Sequence, residues 1–488
     1  MVRTAVIIAA GMGSRLNGEG GNLPKPLVRV GGVGLLKRAI LSAKVAGIGR
    51  FVVVVGYRGE EIQAAIDSDP QIDVPVTWVY NPEWERANGV SVLKAREAVD
   101  GPFVLMMSDH LFEPVILSRL RQVPVSPDET VLCVDRNLDG IFDMPDATKV
   151  QILGDRVVQI DKELDHFDAV DTGIFLCGTG LFNALEQSIT NGDESLSGGI
   201  RLLAVEGNMR TVDIDGAFWM DVDTPEALAQ ANRRLYSMLT KPTDGFVSRH
   251  LNRKISTRIT RLLANTPVRP NHISVAAMLL SFLAAWWVSH GDYYHLALGG
   301  LMFQFASILD GSDGEIAKLK FLGSRTGEWF DSVADSASYL VYFAGITWGF
   351  YNLTGATHAL SIGLAAMGFI LLGIATMTLY LKHVGSGSFA VFNTALSEDV
   401  PEERRTRLHR LVCSFKFLVR RDAFSAVFCV LAVLNSLEVI YWLIIIGAFL
   451  FSFGILIYSG YMLRARGAWP ETLSAHTEPE KLYSEKAD

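Results

Sequence analysis

The chain is 488 residues long, room for two or three domains, and 49% of those residues are hydrophobic. Its formal net charge of −8, with no basic motif laced with aromatics, argues against nucleic acid as a partner. The four cysteines, Cys133, Cys177, Cys413 and Cys429, have neither metal nor disulfide spacing, which suits a reducing cytosol.

The averages conceal two halves. Up to about Lys241 short apolar runs alternate with polar breaks, the pattern of a soluble α/β protein. The opening MVRTAVIIAA has no small-residue cleavage pattern behind it and reads as a first strand, not a signal peptide. From about Ile273 to Met462 apolar segments follow one another, each long enough to approach the ~30 Å core of a bilayer. The tail after Arg466 is polar.

Thr4 to Ala9 reads as a buried strand that runs into AAGMGSRLNGEGGNLPKPLVRVGG. A strand, a Gly-rich turn and a helix make a phosphate-binding arrangement, because Gly11 and Gly13 let backbone N–H groups approach an anion. Arg15 follows the glycines, and Lys25 sits in a rigid Pro24-Lys25-Pro26 frame. Two fixed cations beside such a loop suit an enzyme that neutralises charge developing on a triphosphate. Arg50 to Ile62 reads as a second strand, turn and helix. PFVLMMSDHLF places Asp109 just past an apolar strand, at the crevice where open α/β sheets bind ligands. WMDVDTPEAL adds Asp221 and Asp223, either of which could join Asp109 on a Mg²⁺ ion while the other caps the helix that follows.

The Gly-rich loop, its following Arg and the Pro-Lys-Pro element resemble the signature of the sugar-phosphate and alcohol-phosphate nucleotidyltransferases. The resemblance implies a Rossmann-like open α/β sheet and attack by an alcohol phosphate on the α-phosphorus of a nucleotide, releasing pyrophosphate. It implies Arg15 and Lys25 as catalytic residues, Gly11, Gly13, Asn88 and Ser91 as contacts to CTP, and Asp109, Asp221 and Asp223 as candidate ligands of Mg²⁺ or Mn²⁺. In the CTP-using branch, Lys162 and the segment VDTGIFL, Val170 to Leu176, would meet the acceptor phosphate. Trp78, Tyr80 and Trp84 leave open a choline phosphate, which an aromatic cage would hold.

In the second half apolar segments fall at roughly 273–289, 293–311, 329–351, 358–381, 423–437 and 439–462. Lys318, Lys320, Arg325, Arg404, Arg405, Arg407, Arg410, Arg420, Arg464 and Arg466 all fall in loops on one side, while SHGDYY, NLTGATH and NSLEV on the other hold no Lys or Arg. Six spans with both ends in the cytosol satisfy the positive-inside rule. The basic stretch before the first span places Leu251, Ile255, Ile259, Leu262 and Leu263 at helical spacing. It reads either as an amphipathic helix on the inner leaflet or as a helix covering the bundle.

Asp310 and Asp313 are one helical turn apart, as are Asp331 and Asp335, so each pair projects from one face. Four unpaired aspartates at helix centres would cost on the order of 10 kcal/mol on insertion scales. Carboxylates that face a hydrophilic cavity and bind hard divalent cations avoid that cost. The spacing resembles the CDP-alcohol phosphotransferase signature at every fixed position but one. Asp310, Asp313-Gly314, Ala317, Gly327, Asp331 and Asp335 match, and Lys318 stands where an Arg is usual. The resemblance implies that Asp310, Asp313 and Asp331 hold a metal pair on the diphosphate of a CDP-alcohol. Asp335 would bind metal or act as general base, with Gly314, Lys318 and Gly327 at the CDP-alcohol and Arg420 and Arg421 at an acceptor phosphate.

The two signatures in this order resemble one fusion family, the bifunctional inositol-1-phosphate cytidylyltransferase and di-myo-inositol phosphate phosphate synthases. That implies a cytosolic nucleotidyltransferase at 1–240, a linker and juxtamembrane helix at 241–270, a membrane domain of six helices at 271–466 and a tail at 467–488. It implies CTP, inositol-1-phosphate, CDP-inositol and the lipid bilayer as partners, a cell-membrane location, and a homodimer, since many polytopic members are dimers. The residues themselves leave two other readings open, transfer onto a lipid acceptor and a nucleotide-sensing first half without turnover.

Overall fold

The structure, a computed structural model, describes residues 1–17, 23–240, 244–384 and 421–464, with the side chains of 380–384 and 456–464 excepted. The chain divides into two units, Met1–Arg234 and a second that begins at Leu235.

The first unit is built on a nine-stranded mixed sheet. Its strands include β1 (Thr4–Ala9), β2 (Arg50–Val55), β3 (Val76–Tyr80), β4 (Phe103–Met107), β6 (Thr130–Asp135), β7 (Lys149–Leu153), β8 (Arg156–Asp161), β9 (Ala169–Cys177) and β10 (Met209–Asp213), in the spatial order β3-β2-β1-β4-β9-β6-β10-β8-β7. β1, β2 and β4 read as continuous apolar runs because helices cover both faces, and they pair in parallel. Alternate side chains feed two cores. Ala5, Ile7, Val53 and Met106 point to one with Leu36 and Ile40, whereas Val6, Ile8, Val52 and Leu105 point to the other with Phe175 and Phe182.

Two local features shape the crevice at the strand ends. The short strands β5 (His110–Phe112) and β11 (Trp219–Asp221) pair antiparallel, and the register sets Asp221 opposite His110. β9 breaks its register with β6 between Asp171 and Phe175, and Gly173 there has φ +69°, which glycine adopts without strain. A Cβ on Gly173 would come within 2.5 Å of His110 Nε2, so the bulge and the histidine are packed together. The helix expected behind the Gly-rich loop begins at Ser14, and the described residues follow it to Asn17. Gly13 (φ +66°) lets the loop close on Lys25, whose side chain a Cβ at that position would strike.

The second unit is helical. Earlier in the chain lie α1 (Leu35–Val45), α2 (Gly59–Asp67), α3 (Asn88–Lys94), α4 (Pro114–Leu120), α5 (Gly180–Thr190), α6 (Leu196–Val205) and α7 (Pro225–Ser237); after α8 (Arg253–Ala264) come α9 (Pro270–Val288), α10 (Tyr293–Leu319), α11 (Arg325–Thr354), α12 (Thr357–Val384), α13 (Arg421–Val433) and α14 (Leu437–Arg464). Three of them, α9, α12 and α14, are long and apolar enough to cross a membrane. Helices α10 and α11 carry the aspartate motif and fall short of that composition, and the described part of α13 covers 13 residues. Phe303 and Tyr342 stack at 3.8 Å in the core, and Gly345 lets α11 approach the Ala285 carbonyl, where a Cβ would sit at 2.4 Å. The exterior is apolar too, with Leu279, Trp286, Leu364, Ile446 and Phe453 all exposed, a surface that water disfavours and lipid does not.

Helix α8 turns its small polar face inward. Ser256, Thr260 and Ala264 are buried against α10, while Leu251 and Leu262 are exposed. Glu315 accepts hydrogen bonds from Arg253 (2.8 Å), Ser256 (2.6 Å) and Thr260 (2.6 Å), and Lys320 donates to the carbonyls of Leu263, Thr266 and Val268. The helix therefore covers the bundle through polar contacts, with Ile255, Ile259 and Leu263 half-buried.

Candidate functional sites

In the first unit a cavity of about 460 Å³ opens at the strand ends and is lined by Arg15, Asn88, His110, Lys162, Asp171, Asp221 and Asp223, among others. Lys25, buried, donates to Asp109 Oδ2 at 2.6 Å and pairs with Asp223. Arg15 reaches Asp146 at 2.7 Å and also pairs with Asp223, and Lys162 pairs with Asp146. Burial alone would lower the Lys25 ammonium, but Asp109, Asp223 and Asp221 outweigh it and push its pKa up. Burial likewise raises a carboxyl, yet Lys25 and His110 hold Asp109 well below the usual carboxylate range.

His110 Nδ1 lies 2.7 Å from Asp109 Oδ1 and 3.8 Å from Asp221 Oδ1. Burial would favour the neutral ring, but Asp221 and then Asp109 raise His110 to about 9. Asp221 is pushed up to about 6, mainly by burial. Its Oδ1 is buried with no hydrogen-bond partner. Ligand atoms of Asp109, His110 and Asp221 lie within 4.8 Å of one another, a group that could hold a metal ion. An orphaned carboxylate oxygen beside a second carboxylate fits a hard divalent cation.

Of the two aspartates that the sequence leaves equivalent, Asp221 joins Asp109 and His110, whereas Asp223 holds the cations. Neither caps the next helix, because Thr224 Oγ1 takes the Ala227 N–H at 3.1 Å. Gly11 borders open space. Asn88 accepts from the Leu196 N–H at 2.9 Å at the cavity wall, but Ser91 is buried and receives a hydrogen bond from Asn81. Trp84 packs on Tyr57 and Trp78 donates to Asp67; neither lines the cavity, nor does Tyr80. Asp146, His110 and Asp171 were not singled out by the sequence. An acid midway between two needed cations shows no local spacing pattern.

In the second unit Asp310, Asp313 and Asp331 converge, with ligand atoms within 4.8 Å of one another. Asp313 Oδ2 accepts from Ser274 Oγ at 2.5 Å, and Asp331 Oδ1 is buried without a partner. This group too fits a divalent cation. Asp335 stands apart from the three, gripped by Arg421 on one oxygen and by the Tyr339 hydroxyl, at 2.9 Å, on the other. Arg421 also reaches Asp310 at 2.7 Å, so the structure places it between acids of the two motif helices. Arg420 lies outside the described residues. A Cβ on Gly314 would meet nothing within 4 Å, and Gly327 packs on the Ser324 hydroxyl that caps α11. Lys318 donates to the Met238 carbonyl at 2.9 Å.

Residues 5–157 match the MobA-like NTP transferase domain, and residues 267–407 match the CDP-alcohol phosphatidyltransferase family. The chain is 34% identical to a bifunctional IPC transferase and DIPP synthase from Thermococcus kodakarensis, over 89% of this chain and 95% of that one. The chain belongs to that bifunctional family. A Rubrobacter xylanophilus relative of the same name is 36% identical over 71% of this chain and 77% of its own. The inositol-1-phosphate CTP transferase of T. maritima aligns with 47% of this chain and 96% of its own at 28% identity and a TM-score of 0.41. The enzyme is thus a nucleotidyltransferase fused to a CDP-alcohol phosphotransferase.

Proposed function

We propose that the first unit joins CTP and inositol-1-phosphate to give CDP-inositol and pyrophosphate. The membrane unit then transfers the phosphoinositol group to a second inositol-1-phosphate, giving di-myo-inositol phosphate phosphate and CMP. What carries the reading is the presence, in a chain 34% identical to a bifunctional relative, of two separate acid groups, each with an orphaned buried oxygen and each joined by a buried cation.

In the first reaction the phosphate oxygen of inositol-1-phosphate attacks the α-phosphorus and the bond to pyrophosphate breaks. Lys25 and Arg15 hold the triphosphate and take up charge on the leaving group, exchanging their carboxylate partners for phosphate oxygens. Gly11, Gly13 and Asn88 bound the nucleotide, and Lys162 meets the acceptor phosphate. A Mg²⁺ or Mn²⁺ ion held by Asp109 and Asp221 would polarise phosphoryl oxygens. Asp223 orients the two cations, and His110 orients the two ligands.

In the second reaction a hydroxyl of the acceptor attacks the β-phosphorus of CDP-inositol, the one bearing inositol, and CMP leaves. Asp335 takes the hydroxyl proton. Asp310, Asp313 and Asp331 would hold the divalent ions on the diphosphate, in the space that Gly314 leaves clear. Lys318 and Gly327 border the CDP-alcohol, and Arg421, with Arg420, meets the acceptor phosphate while Arg421 keeps its hold on Asp335.

The six helices α9 to α14 span the bilayer of a cell membrane with the aspartates at its inner side, within a domain at 271–466 that follows a cytosolic domain at 1–240 and a linker at 241–270. Purified protein given CTP, Mg²⁺ and inositol-1-phosphate, followed by phosphorus NMR, tests the reading. Pyrophosphate, CMP and a new phosphodiester are expected, and Asp335→Ala should stop at CDP-inositol. CDP-inositol that accumulates in both proteins would point to a lipid acceptor instead, and no pyrophosphate would overturn the first step.

A further inference from the structure

Part of the cavity wall opposes phosphate. Asp171 and Asp135 both line it, on adjacent strands where Asp171 pairs with Val134 and Val170 with Asp135. Asp135 is saturated, accepting from Trp219 Nε1 and from the Asn137 N–H, both at 2.8 Å. Asp171 is not. One oxygen takes the Gly173 N–H at 2.7 Å, and the other has no hydrogen-bond donor among the described residues. Two carboxylates repel a phosphate, so this part of the wall suits the other end of an alcohol phosphate whose phosphate Lys162 meets. A lone carboxylate oxygen facing a cavity is completed by a ligand O–H or N–H. A quaternary ammonium has no such donor, and the aromatic residues that could cage one, Trp78, Tyr80 and Trp84, do not line the cavity.

We infer that Asp171 is the specificity-determining residue of the first reaction, accepting a hydrogen bond from a ring hydroxyl of the polyol phosphate. The inference rests on the reaction proposed above and adds the contact that selects a polyhydroxylated alcohol. The bulge at Gly173 aims the carboxylate, since the Asx contact to its N–H fixes the side-chain rotamer. Segment Val170 to Leu176 then reads hydroxyls, and the phosphate falls to Lys162.

Pyrophosphate release by full-length wild type and Asp171→Asn, with myo-inositol-1-phosphate and its mono-deoxy analogues, tests it. Asn keeps the contact to Gly173 but replaces a charge-assisted bond by a neutral one, roughly half as strong. The KM for inositol-1-phosphate should rise about tenfold, with the KM for CTP unchanged. One deoxy analogue should suffer a loss of about the same size in wild type, and Asp171→Asn should no longer distinguish that analogue from the parent, the signature of a direct contact. A variant that raises both KM values, or that discriminates every analogue as wild type does, would make Asp171 a structural residue of the bulge and overturn the assignment. Loss of turnover in wild type with inositol-1-phosphate would overturn the reaction itself, and the hydroxyl contact with it. An unchanged KM in the variant, with wild type active, would overturn the hydroxyl contact alone.

Discussion

The two candidate sites solve one problem in different ways. Both concentrate carboxylates and pair some of them with a buried cation, Lys25 in the first unit and Arg421 in the second. In the first unit the acids come from distant segments, and strand register brings Asp221 opposite His110 and next to Asp109. In the second unit helical periodicity alone sets Asp310 by Asp313, and two helices bring Asp331 to them. The first site therefore depends on a sheet folded correctly over a long span of sequence, while the second depends on the contact of two neighbouring helices. Substitutions should expose that difference, because each unit has its own product.

The largest separation should come from Asp331→Asn. It removes a charge from the group that would hold the divalent ions, whose contribution is several kcal/mol, so transfer to the acceptor should fall by about 10³. Pyrophosphate release from CTP should continue, and ³¹P NMR should show CDP-inositol accumulating. Comparable losses in both steps would mean that the units are not independent. Lys25→Met is the mirror case. It leaves Asp109 and Asp223 without their shared cation, and unpairing a buried charge costs about 3–5 kcal/mol. Pyrophosphate release should drop by about 10² or more, whereas CDP-inositol supplied directly should still be consumed at the wild-type rate. A smaller effect is expected for Gly173→Ala. A methyl group there strains a backbone at φ +69° and strikes His110, so pyrophosphate release should fall by about tenfold through a displaced Asp109–His110–Asp221 group. Full activity in that variant would show that the histidine does not orient the acids.

The contrast also explains what the sequence disclosed. The strand at Thr4–Ala9, the Lys25 frame and the motif helices were legible because each is local, a run of apolar residues, a pair of prolines or a spacing of three or four. Asp221 and Asp223 were not separable, since acids two apart in an extended run share one face, and only the pairing that ends the strand at Asp221, opposite His110, tells them apart. Asp146 was invisible for the same reason: it lies 131 residues from Arg15. On helix α8 the apolar periodicity was correctly seen, but the face that packs is the small polar one, recognised by Glu315 on a helix far along the chain. Asp171 sat inside a segment read for phosphate, and its proposed part as a hydroxyl acceptor rests on a contact the sequence does not display, the Gly173 N–H bound to one oxygen while the other is left without a donor among the described residues.

The finest test of the comparison is at the clamp on Asp335. In the first unit the acids are held by charged partners, but here a neutral hydroxyl shares the work, Tyr339 donating to Asp335 at 2.9 Å while its ring lies 5.4 Å from the Arg421 guanidinium. Tyr339→Phe keeps the ring, and with it the contact to Arg421, and removes only the hydroxyl. A hydrogen bond to a charged group contributes about 1.5–3 kcal/mol when intact, but Arg421 remains to hold the carboxylate, so the loss should be at the low end, about tenfold in the kcat of transfer. The KM values for CDP-inositol and for the acceptor should stay near wild type, because the hydroxyl acts on the aspartate and not on either substrate. A raised acceptor KM with kcat intact would instead place Tyr339 in the acceptor pocket, and the clamp on Asp335 would then be the work of Arg421 alone.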